Sequence, residues 1–160
     1  MLTRTLLLGL LLVHLTSCFG QVAPQTFSGK VVAIKDGDTI EVLYAGKAIR
    51  VRLAHVDCPE KGQPYGSRAK EYASDLCYSR VVKVVHTDKP DRFGRIIAEV
   101  FIDGRCLNKE LVRVGLAWHF VKYSSDAGYA RLEKDARSRR VGLWSDTHVV
   151  APWDWRKGVR

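Results

Sequence analysis

The chain predicts an α+β fold, mostly β: a five-stranded OB-type Greek-key barrel with about three helices. Three observations lead there. The β-rich segments come in a three-plus-two arrangement, and a helical pattern lies between the third and the fourth. Only five prolines occur in 160 residues, so few strand edges are guarded, which suits a sheet that closes on itself.

Residues 21–26 (QVAPQT) form a short linker. From Phe27 the run SGKVVAI reads as a strand, and Lys35-Asp36-Gly37-Asp38 turns the chain into TIEVLY. Asp-Gly between two apolar runs is a hairpin signal. Ala45-Gly46-Lys47 turns it again into AIRVRLAHV, completing an antiparallel meander. In that third strand Val51, Leu53 and His55 share one face, and Arg52 and Ala54 the other. Pro64 is placed to open a helix in which Tyr65, Ala69, Tyr72, Ala73, Leu76 and Cys77 recur at helical spacing. RVVKVVH (80–86) and RIIAEVFI (95–102) supply the last two strands, joined by TDKPDRFG, and Asp103-Gly104 makes another turn. Asn108 reads as the N-cap of a second helix, with Leu107 and Val112 as a hydrophobic staple and Gly115 as its stop. A third helix runs from about Asp126 to Arg140, with Tyr129, Leu132 and Ala136 inward and Gly142 closing it.

The first 20 residues stand apart. MLTR gives a positive start, and LLLGLLLVHL is an apolar run too short to span a bilayer, followed by small residues. This is the pattern of a secretory signal, and it predicts an exported protein, secreted or periplasmic. LTSC resembles the lipid-attachment site of bacterial lipoproteins, so Cys18 is either acylated, anchoring the chain to the envelope, or lost by cleavage after Gly20. Of the 26 Lys and Arg residues only Arg4 lies in this segment, which leaves 25 against 17 Asp and Glu, near +8. So basic an exported chain suits a polyanionic partner. Of Cys58, Cys77 and Cys106, export permits one disulfide, and Cys77 with Cys106 is the better pair. No CxxC spacing occurs, which argues against zinc. His55 and His119 read as strand residues, and the tryptophans 144, 153 and 155 as packing.

Charged residues interrupt or end the strands: Asp36 and Asp38 around Gly37, Arg52, Asp57 and Glu60, and Arg95 after Phe93-Gly94. Singly, each is an ordinary turn or edge feature. Together they fall at strand ends that one barrel gathers. Asp38 and Asp57 converging make a hard, oxygen-rich site of the kind Ca²⁺ or Mg²⁺ occupies. Glu60, beyond a Pro-fixed turn, is placed to hold a water, and Arg52 and Arg95 match the oxygens of a phosphate. A phosphodiester repels hydroxide until cationic groups offset its charge, so these residues point to metal-assisted phosphodiester hydrolysis.

IKDGDTI, VRLAHVDCPE, DRFGR and NKELVRVGLAW, in that order and spacing, resemble the thermonuclease (staphylococcal nuclease-like) family over about residues 27–145, with 146–160 as an aromatic and basic C-terminal tail. The resemblance implies a monomeric, Ca²⁺-dependent endonuclease on an OB fold that cuts DNA and RNA and needs no obligate protein partner. It makes Asp38 and Asp57 metal ligands, together with the backbone carbonyl of Cys58. It makes Glu60 the general base or water holder, Arg52 and Arg95 the phosphate binders, and Asp36 a neighbour of the metal. Phe93 and Tyr123 become nucleotide contacts. Cys58 stands where the family's best-known member has Thr, Phe93 where a Tyr contacts the nucleotide, and Val121 replaces a second Tyr. The rival reading is a non-catalytic OB module that binds nucleic acid or a protein; retention of Glu60 beside both aspartates and both arginines argues against it.

Overall fold

The computed structural model describes residues 23–86 and 90–160. The leader 1–20, Cys18 and part of the 87–94 loop lie outside the described residues. Eight strands and four α-helices follow in order: β1 (Gln25–Ile34), β2 (Thr39–Tyr44), β3 (Lys47–Leu53), β4 (Val56–Asp57), α1 (Gly66–Cys77), β5 (Val81–His86), β6 (Ile96–Ile102), β7 (Arg105–Cys106), α2 (Leu107–Arg113), β8 (Trp118–His119), α3 (Ala127–Ser138) and α4 (Pro152–Trp155). A 3₁₀ turn at Gly142–Ser145 precedes α4. Five strands make the predicted barrel, in the order β3-β2-β1-β5-β6. All neighbours are antiparallel except the closing pair, where β3 runs parallel to β6 through Val51–Ile96, Arg52–Ile97 and Leu53–Ala98.

Alternation sets the interior. Val82 and Val84 of β5, Ala98 and Val100 of β6, and Val51 and Leu53 of β3 are buried, whereas their neighbours face outward. β1 serves both β2 and β5, and an irregularity between Val31 and Ala33 lets one long strand bend between them. Ala69, Ala73 and Cys77 of α1 and Leu107 and Leu111 of α2 cover the barrel and complete the main core. Each fully buried Val or Leu stabilises the fold by roughly 1.5–3 kcal/mol relative to exposure, so these side chains are the principal favourable term.

Four local expectations change. The strand drawn to residue 56 stops at Leu53: Ala54 and His55 form a turn, and His55 has φ +67°, because the chain must swing outward to bring Val56 and Asp57 beside β8. His55 is therefore not on the core face, although His119 is a strand residue. Pro64 lies in a turn rather than opening α1, which starts at Gly66 because Tyr65 adopts a left-handed conformation. Asn108 is not a cap. It is fully buried inside α2, accepting from Val100 N and donating to Ala54 O and Ala98 O, at 2.9–3.1 Å. Cys77 and Cys106 are not joined. Cys77 donates to Ala73 O at 3.0 Å, Cys106 lies against Glu99 and the Tyr129 hydroxyl, and all three described cysteines are free and buried. Burial pushes the Cys77 thiol up to about 12.

Candidate active site

The predicted residues meet at one end of the barrel, in a cleft of about 1550 Å³ that includes Asp36, Asp38, Arg52, Asp57, Glu60 and Arg95 in its wall. Arg52 is the centre of the arrangement. Val51 and Leu53 point into the barrel, so Arg52 points out, opposite Thr39 of β2. Its side chain is only 12% exposed. Nη1 donates to Leu53 O and Val56 O, both at 2.9 Å, which holds the turn after β3. Nη2 lies 2.8 Å from Asp57 Oδ1 and 3.1 Å from Asp38 Oδ2. The two carboxylates thus face each other across one guanidinium nitrogen.

The loop carrying Asp38 is shaped by packing. Lys35 N donates to Thr39 O at 2.9 Å, and Asp36 Oδ1 accepts from Asp38 N at 3.1 Å, so Asp36 props the turn. Gly37 has no room for a side chain, since a Cβ there would lie 2.7 Å from Ala69 Cβ and 2.9 Å from Cys58 Cβ. Asp38 Oδ2 accepts from Cys58 N at 2.7 Å. Burial pushes the Asp38 carboxyl up to about 7; Arg52 opposes that shift, while Asp36 and Asp57 add to it. On Arg52 burial pulls the pKa down, but Asp38 and Asp57 prevail and hold it above its ordinary value.

Glu60 sits on a turn closed by Gln63, whose N donates to Glu60 O and whose Oε1 accepts from Glu60 N, both at 2.9 Å. On the far wall, the backbone of the DRFGR loop wraps around Asp91. Its Oδ1 accepts from Phe93 N and Arg95 N, and its Oδ2 from Arg95 Nε and Nη2, at 2.8–2.9 Å. That collar sets the guanidinium of Arg95 and leaves Phe93 61% exposed at the cleft with Arg92 and Arg95 over its ring. Tyr123 is 70% exposed on the same cleft and packs edge-on to Phe120. The 120–124 loop is pinned by Ser124, whose Oγ is 2.9 Å from both His55 Nδ1 and His119 Nε2.

Sequence reasoning missed one charged side chain. Arg156, just past α4, lies with Nη2 2.8 Å from Asp57 Oδ2 and Nη1 against Glu60 Oε1. Its only trace in the sequence is its place in PWDWRKG. No cluster of three or more His, Cys, Asp or Glu residues in a metal-holding arrangement occurs among the described residues. Asp57 and Glu60 are turned instead toward the guanidiniums of Arg52 and Arg156. The donors themselves suit a hard cation, since Asp38 and Asp57 offer carboxylate oxygens at the same cleft.

A sequence model described as staphylococcal nuclease homologue matches residues 50–146. An uncharacterized endonuclease of Escherichia coli is 42% identical over 129 residues, 80% of this chain and 84% of that protein. A micrococcal nuclease of Shigella flexneri is 42% identical over 145 residues, 84% and 83% of the two chains. The staphylococcal-like nuclease CAN1 of Arabidopsis thaliana is 37% identical over 115 residues, 71% of this chain and 35% of that one.

Proposed function

The chain belongs to the staphylococcal nuclease family, and from that membership we propose that it is an exported, Ca²⁺-dependent endonuclease that hydrolyses DNA and RNA with little sequence preference. One observation carries the reading: Asp38 and Asp57 share a nitrogen of Arg52 in a cleft that also holds Glu60 and Arg95. The carboxylates of Asp38 and Asp57 and the backbone carbonyl of Cys58 would hold the ion. When bound, Ca²⁺ supplies positive charge that polarises a phosphoryl oxygen.

The side chains divide the remaining work. Glu60 accepts a proton from the water whose oxygen attacks phosphorus, while the bond from phosphorus to the leaving ester oxygen breaks. Arg52 and Arg95 donate to the non-bridging oxygens, where charge grows in the transition state. Their positions in the free protein are set by the Leu53 and Val56 carbonyls and by Asp91. Phe93 and Tyr123 offer exposed rings to the sugar or base. Because the cationic contacts are to phosphate, which carries no base identity, discrimination between sequences is weak. The basic start and apolar run of residues 1–20 support export.

Glu60→Gln tests the assignment. Turnover on plasmid DNA falls about 10²- to 10⁴-fold, while nucleotide binding measured by calorimetry stays within a few-fold. An unchanged rate removes Glu60 from the chemistry.

A further inference from the structure

The nuclease reading gives no task to the 146–160 segment, yet the structure builds that segment into the site. Gln63, whose side chain accepts from Glu60 N, donates through Nε2 to Val150 O at 2.7 Å. Ala151 and Pro152 are buried. Trp153 stacks on Phe120, with centroids 5.4 Å apart and planes at 3°, and meets Trp118 edge-on at 5.4 Å. The tail is thus fixed at both the Glu60 turn and the Tyr123 loop. It ends by placing Arg156 on Asp57 and Glu60.

Asp57 is 1% exposed, and both of its oxygens meet guanidiniums: Oδ1 that of Arg52 at 2.8 Å and that of Arg156 at 3.4 Å, and Oδ2 that of Arg156 at 2.8 Å. Burial pulls the Arg156 pKa down, but its hydrogen bonds to Asp57 and Glu60 prevail and hold it above its ordinary value. Its side chain is 43% exposed, so it has solvent to move into, whereas Arg52 is enclosed. A divalent cation that takes an oxygen of Asp57 meets Arg156 already there.

We infer that Arg156 is a positioning residue of this site: a tethered counter-ion that holds Asp57 and Glu60 in place and that a divalent cation must displace to bind. The inference rests on the nuclease reading for the identity of the cation site. It also accounts for the pairing of Asp57 and Glu60 with a guanidinium from the tail. A guanidinium and a divalent ion held on one buried carboxylate repel each other, so occupancy by the guanidinium and by the ion oppose one another.

The test is Ca²⁺ affinity, measured by titration calorimetry on wild type, Arg156→Ala, Arg156→Lys and Lys157→Ala. Damage to a metal site weakens binding; removal of a competitor tightens it. Arg156→Ala tightens Ca²⁺ binding about tenfold, within the usual range of coupling between two ligands, and Arg156→Lys gives a smaller change. Lys157, which pairs with Asp154, measures the general effect of losing one positive charge, and its variant shifts affinity far less. Equal effects from Arg156→Ala and Lys157→Ala, or weaker binding by Arg156→Ala, overturn the inference while leaving the nuclease reading intact. Absence of Ca²⁺ binding in wild type, with no cleavage of DNA, overturns both.

Discussion

Arg52 donates to two backbone carbonyls and to Asp57 and forms an ion pair with Asp38, so the side chain assigned to phosphate also closes the turn that delivers Asp57. The sequence marks it as a charge inside an apolar strand, and the structure sets it in the cleft wall. Asn108 was legible only as polar and near a helix start. Its position inside α2, bracketing Ala54 O, Ala98 O and Val100 N, depends on three segments that no local pattern relates. Asn108→Ala leaves buried groups without partners and costs about 3 kcal/mol; urea denaturation checks this, and a loss under about 1 kcal/mol contradicts the bracket. Gly37 reads as a turn residue, but its lack of a side chain is demanded by Ala69 and Cys58. Gly37→Ala is therefore expected to cost roughly 1–3 kcal/mol by the same measurement, and a neutral result contradicts that packing.

At the scale of elements, periodicity recovered all five barrel strands and the three longer helices, since alternation and helical spacing are local properties. It did not recover α4, a single turn whose place depends on Trp153 finding Phe120 and Trp118. It also ran β3 through the break at Ala54–His55, because His55 reads as another strand residue until the chain's need to reach β8 is known. The start of α3 was legible in Asp126, whose Oδ1 accepts from Gly128 N at 2.6 Å. That hydrogen bond holds the Asp126 carboxyl below its ordinary 3.8. A depressed carboxylate stabilises the fold above the unfolded pKa, and that contribution disappears as pH falls through the folded value. Asp126→Ala accordingly costs about 1 kcal/mol near neutral pH, and the difference from wild type shrinks towards zero in acid. A pH-independent difference in urea unfolding contradicts the cap.

For the whole molecule, the residues that line the cleft were legible and the tail packed against them was not. Carboxylates and arginines at strand ends announce themselves in sequence, and one barrel end collects them. The tail's contribution depends on a contact spanning 99 residues, which neither charge nor periodicity anticipates. The net charge of +9 and the proposed phosphate contacts of Arg52 and Arg95 also set the response to salt. Two phosphate contacts predict an affinity for duplex DNA that falls about tenfold between 50 and 200 mM salt, as read by fluorescence anisotropy; a flat response would place recognition in the bases instead. The central claim is that acidic groups gathered around Arg52 hold a divalent ion that phosphodiester hydrolysis requires. Digestion of plasmid DNA and of RNA by the purified protein, with Ca²⁺ and then with excess chelator, tests it most directly. The account predicts cleavage of both substrates with Ca²⁺, loss of both under chelation and recovery when Ca²⁺ is restored; undiminished cleavage in excess chelator contradicts it.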